Sequence, residues 1–140
     1  MPNHTTNFVT IGTNTNVDEE ILALQELKTD LLIRHNEFDF EGIIPMPDYI
    51  YRGSIGDREQ KKYGSLNWYD WSIANWGTKW NSYDVEVLQD DESILYVCFL
   101  TAWDAPRGIA NRIKEYCDKY NLYLDWDAEH EFEDGIEKIA

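Results

Sequence analysis

The run ILYVCFL, residues 94–100, offers no polar side in either register of a strand, so it reads as a central strand buried on both faces. The segment before it, SYDVEVL, alternates Tyr83, Val85 and Val87 with Asp84 and Glu86, the pattern of a half-exposed strand. The polar QDDES between them makes a turn and joins the two as a hairpin. A central strand needs further elements around it, and the rest of the chain supplies them in a regular order.

NFVTIGT, residues 7–13, sets Phe8, Thr10 and Gly12 against Val9, Ile11 and Thr13 and predicts a first strand. NVDEEILALQELKTDLLI then predicts an amphipathic helix with Asn16 as N-cap, Glu19 completing a capping box, and Val17, Ile21, Leu24, Leu27 and Leu31 on the buried face. From Phe38 to Gly64, Gly and Pro break the pattern, which predicts mostly loop with short pieces of structure. SLNWYDWSIANWGTKW predicts a short aromatic helix, capped by Ser65 or Asn67 and ended by Gly77. After the hairpin, Asp104, Ala105 and Pro106 start a second core helix with Ile109, Ile113, Tyr116 and Tyr120 on its buried face. LYLDWDAEHEF closes the series as a strand with Leu122, Leu124, Trp126, Ala128 and Phe132 facing inward. The order predicts an α+β fold: a ferredoxin-like βαββαβ sandwich over residues 1–140, with an antiparallel sheet, helices on one face, and a loop and Trp-rich helical insertion at 38–80.

A chain of 140 residues with 43% hydrophobic residues can bury the core of one domain. Its 27 acidic against 12 basic residues give a net charge of −15, which argues against direct nucleic-acid binding and favours a basic partner. Cys98 and Cys117 show neither metal-ligand nor disulfide-framework spacing. The N-terminus lacks a signal-peptide pattern and no run of 18 apolar residues occurs, so a cytoplasmic protein without membrane contact is expected.

The most unusual stretch is DWDAEHEFED, which places Asp125, Asp127, Glu129, Glu131 and Glu133 two residues apart, followed by Asp134. An EF-hand needs Gly at its sixth position and Glu at its twelfth; counted from Asp125 these are His130 and Ile136, and from Asp127 they are Phe132 and Lys138. Neither register fits, and no metal site or cofactor is expected. His4, His35 and His130 stand near no nucleophile pattern, and no GxSxG, P-loop or GxGxxG is present, so a non-enzyme is expected. On a strand, residues two apart lie about 6.7 Å from one another on one face, a spacing of the order of that between nucleic-acid phosphates. Four adjacent pairs at that distance repel by about 0.6 kcal/mol each in water before screening. One or two charges suffice to protect a sheet edge. Five acids therefore point to display for a basic partner, with Tyr123 at the head of the row and Asp84 and Glu86 on the same solvent face. Trp68, Trp71, Trp76, Trp80 and Trp103 are expected to pack the insertion against the sheet.

The opening MPN with Asn7, FDFEGIIPMP, NWYDWSIANWGTKW and FLTAWDAP resemble segments of phage and mobile-element proteins with a YubB-type ferredoxin-like domain. The resemblance spans roughly residues 1–128; it implies a fold and a mobile-element origin, and carries no catalytic residues. The tail, EHEFEDGIEKIA, departs from it. Charge, acidic row and resemblance together predict a phage-encoded anti-CRISPR or anti-restriction inhibitor, acting in the bacterial cytoplasm on a basic nucleic-acid-binding host protein. A protein- or carbohydrate-binding module built on the tryptophans is the alternative, and a carboxylate-dependent hydrolase the weaker one.

Overall fold

A computed structural model describes residues 3–140; Met1 and Pro2 of the MPN segment lie outside the described residues. The chain forms β1 (His4–Thr13), α1 (Asp18–Asp30), α2 (Asp57–Tyr63), α3 (Trp68–Asn75), β2 (Tyr83–Asp90), β3 (Ile94–Ala102), α4 (Arg107–Lys119), β4 (Leu122–His130) and β5 (Glu137–Lys138), with 3-10 turns at Ile33–His35 and Phe40–Gly42. The strands make one open antiparallel sheet in the order β2-β3-β1-β4-β5. This is a mixed α+β fold, and among the described residues it has four helices.

One parity of the sheet is the core. Val9 and Ile11 on β1, Leu95, Val97 and Phe99 on β3, and Leu122 and Trp126 on β4 are buried together with Leu24 and Leu27 of α1 and Ile109, Ile113 and Cys117 of α4. Each such large side chain contributes about 1.5–3 kcal/mol by leaving water. The insertion joins the same core. Phe38 stacks on Phe99 at 4.4 Å and meets Trp126 edge-on at 5.9 Å, while Phe40 meets Trp76 at 5.6 Å. Gly108 lets α4 approach α3: a Cβ there would collide with the Asn75 carbonyl, and the Gly108 N–H donates to the Trp76 carbonyl at 3.0 Å.

Several expectations are corrected. The capping box at Asn16 does not form: Val17 is the N-cap, Asn16 takes φ +60°, and Glu20 reaches back instead to the Thr15 N–H and hydroxyl. Asn67 does cap α3, its Oδ1 accepting from the Asp70 N–H at 2.9 Å. The stretch from Phe38 to Gly64 is mostly loop with short pieces of structure, as expected; one of them is α2, which lies on the surface with no buried residue. Val17 and Tyr120, expected to face inward, are exposed, and Cys117 is buried on α4 in the place expected of an aromatic. β4 ends at His130, and Phe132, expected on its inner face, is 86% exposed at φ +66°. The chain turns there because residues 137–140 return along β4, pairing Asp127 with Lys138 and bonding the Trp126 N–H to the Ala140 carbonyl at 3.0 Å. Hence β4 is not the edge strand. β3 is central, but Ile94, Tyr96, Cys98 and Leu100 are only partly buried, because the helices cover one side of the sheet alone.

Candidate functional site

The second parity of the sheet is an open face, on which no helix packs among the described residues. The register aligns its side chains in rows: Tyr83, Leu100, Thr6 and Glu129; Glu86, Cys98, Phe8 and Asp127; Gln89, Tyr96, Thr10 and Asp125. Each row runs from β2 through Leu100, Cys98 or Tyr96 on β3 and Thr6, Phe8 or Thr10 on β1 to a carboxylate on β4. The centre is partly buried, and Glu86 and Glu129 at the two sides are exposed. The middle of the face is thus less polar than its margin, a distribution also found across protein–protein interfaces.

The acidic row is shorter than its sequence spacing implies. Asp125, Asp127 and Glu129 share the open face, and Tyr123 stands exposed at the head of the line. Beyond the strand, Glu131 folds back so that its Oε2 accepts the His4 N–H at 2.6 Å, and Glu133 and Asp134 lie exposed in the turn. Glu86 pairs with Cys98 and so lies on this face. Asp84 is not on this face: a bulge between Tyr83 and Glu86 puts it at φ +51°, and it lines a separate cleft of about 380 Å³ with Asn36, Glu37, Asp39 and Asn81. Tyr83 is held above its ordinary pKa by burial and by the nearby charges of Asp84 and Glu131, and it shares a 2.5 Å hydrogen bond with His4 Nδ1.

The tail supplies counter-charges that the spacing of the acids does not reveal. Lys138 bonds to Asp125 and lies 3.1 Å from Asp127, and those two carboxylates raise its pKa. Among the described residues Glu129 and Glu86 have no ion pair. Glu137 receives two bonds of 2.8 Å from Arg107 and lies 2.7 Å from His130 Nε2, and Arg107 also holds Asp104. Arg107 first and His130 second bring the Glu137 pKa down to about 2. Asp104, His130 and Glu137 have ligand atoms within 4.8 Å of one another, a grouping that would suit a metal ion. The Arg107 guanidinium already bridges both carboxylates, so the group acts as a latch joining the tail to α4 and β4.

The tryptophans divide. Trp76 is 4% exposed and its Nε1 donates to the Ile44 carbonyl at 2.8 Å; Trp71 packs against it edge-on at 5.3 Å, and Trp68 Nε1 donates to the Gly53 carbonyl at 3.0 Å. Trp76 and Trp71 pack with the core as expected, whereas Trp68 is tied to the insertion itself. Trp80 and Trp103 do not pack with the core: they are 39% and 48% exposed and both lie under the Lys79 ammonium. No family model matches the chain, and neither does any curated protein or solved structure.

Proposed function

We propose that this protein is a binding protein that docks the open face of its sheet onto a basic nucleic-acid-binding protein and thereby blocks the nucleic-acid site. The observation that carries the reading is the face itself: Phe8, Tyr96, Cys98 and Leu100 in the middle, Glu86 on β2, and Asp125, Asp127 and Glu129 on β4. The net charge of −15 gives the same preference at long range, where it speeds encounter with a basic surface. Of the carboxylates on this face, Glu86 and Glu129 have no ion pair among the described residues, and these two supply the charge selectivity while the apolar centre supplies contact area. The concrete form is an anti-CRISPR or anti-restriction inhibitor of phage origin acting in the bacterial cytoplasm, and it rests on the resemblance to YubB-type domains. The adjacency β2-β3-β1-β4, with α1 after β1 and α4 after β3, supports a ferredoxin-like plan extended by β5.

The test is the double substitution Glu86→Lys and Glu129→Lys, which breaks no ion pair among the described residues. The reading predicts that capture of the partner from a phage-host lysate is lost while the circular dichroism spectrum is retained. Capture that survives in the double variant, at low and high salt alike, would sink it.

A further inference from the structure

Trp80 and Trp103 come from separate segments that one buried contact holds together. The Thr78 hydroxyl donates to the Ala102 carbonyl at 2.6 Å, so the residues following each of these, Lys79 and Trp80 on one side and Trp103 on the other, are brought together. Trp103 takes φ +70°, a strained conformation for a bulky side chain, and its N–H is fixed to the Asn3 carbonyl at 2.8 Å. Tyr69 meets the Trp103 ring edge-on at 6.2 Å, and Tyr83 meets the Trp80 ring edge-on at 6.3 Å. Both rings are thereby oriented by neighbours while a large part of each remains in solvent.

The Lys79 ammonium lies 4.2 Å from the centre of the Trp80 ring and 3.9 Å from that of Trp103. Among the described residues it makes no hydrogen bond or ion pair, so two indole faces are what receive it. Trp gives the strongest cation–π attraction, and a pair of rings held ready for a cation is the arrangement that recognises ammonium and guanidinium groups. An arginine suits it better than the resident lysine, because a guanidinium is flat, stacks on rings and is less strongly hydrated.

We propose that Trp80 and Trp103 form a cation site for an arginine or lysine side chain of a basic polypeptide, with Lys79 as its intramolecular occupant, displaced on binding. The site goes beyond the proposed docking face and does not depend on it: its readout is the two indoles, not Glu86 or Glu129.

The experiment follows the indole N–H signals of the full-length protein by NMR during titration with an acetylated, amidated tri-arginine peptide, and separately with tetramethylammonium. Trp80 and Trp103 signals are expected to shift saturably with the peptide. The midpoint should be about fivefold lower in Lys79→Ala than in Lys61→Ala, on the surface helix α2, which changes the net charge equally without removing a cation from the two indole faces. Trp103→Ala should abolish the response at Trp80, and Trp103→Phe, which retains a ring, should restore part of it. The Glu86→Lys, Glu129→Lys double variant should keep the indole response. Absence of a saturable shift at either indole in Lys79→Ala, or equal midpoints in the two lysine variants, would overturn the proposal. A response to tetramethylammonium with none to the peptide would overturn the assignment to a polypeptide side chain.

Discussion

Asn7 is buried among β1, β3 and β4, where its Oδ1 accepts the Trp126 indole N–H at 3.1 Å and its Nδ2 donates to the Thr101 hydroxyl at 3.0 Å. Asn7→Leu leaves that indole N–H in the core without a partner. The expected loss is about 1–3 kcal/mol, measured by urea denaturation. Glu137 gives a pH-dependent counterpart. Its pKa is depressed from 4.5 to about 2, so its share of tail docking is present above pH 4.5 and is lost as pH falls through 2. Over that window protection from hydrogen exchange, relative to the intrinsic rate at each pH, should fall at Ile139 and Ala140, whose N–H groups bond to the Trp126 carbonyl. Glu20 is also depressed to about 2, chiefly by the Thr15 hydroxyl and N–H, and titrates over the same range. The readout must therefore be local to the tail. Glu137→Gln should remove that acid response at Ile139 and Ala140 and cost about 0.5–1 kcal/mol, since the bridge to Arg107 is substantially exposed.

Among the elements, β5 and the tail matter most to how the face presents its charge. Lys138 lies over Asp125 and Asp127, so truncation after Asp134 should strengthen binding of polycations at low salt while freeing the outer edge of β4. Titration with polylysine, with exchange at Trp126 as the structural control, checks both consequences. A second prediction concerns the insertion: Gly108→Ala should force α3 away from α4 and expose Trp76 to a fluorescence quencher. The order of the long elements is legible in the sequence because β1, β2 and β4 have a period of two and the helices one near 3.6, while β3 stands out as an unbroken apolar run. β5 is not, since two residues carry no period. Nor is the bulge that removes Asp84 from the face, because strict alternation at 83–87 assumes an unbroken ladder. The apolar run of β3 reads as buried on both sides because hydrophobicity reports a preference for burial and not whether a covering layer exists. Of the acidic row, Asp125, Asp127 and Glu129 are where period two places them; Phe132 misleads because its parity fits a strand that has already turned.

At the scale of the molecule, a charge of −15 alone predicts weak attraction to any basic surface, strongly reduced by salt. The open face predicts something narrower: a contact with an apolar centre that retains affinity at moderate salt and loses it when Glu86 and Glu129 are reversed. Exposed rings at Trp80 and Trp103 add a second point of attachment at the end of the sheet where β3 finishes. The most direct measurement is displacement of labelled DNA from purified CRISPR effectors and restriction enzymes of candidate phage hosts, with the parent protein and the Glu86→Lys, Glu129→Lys variant compared across a salt series. The account predicts that the parent displaces DNA from at least one of them, and that the double variant, equally folded, fails to do so at every salt concentration. Displacement by the double variant equal to that of the parent would contradict it.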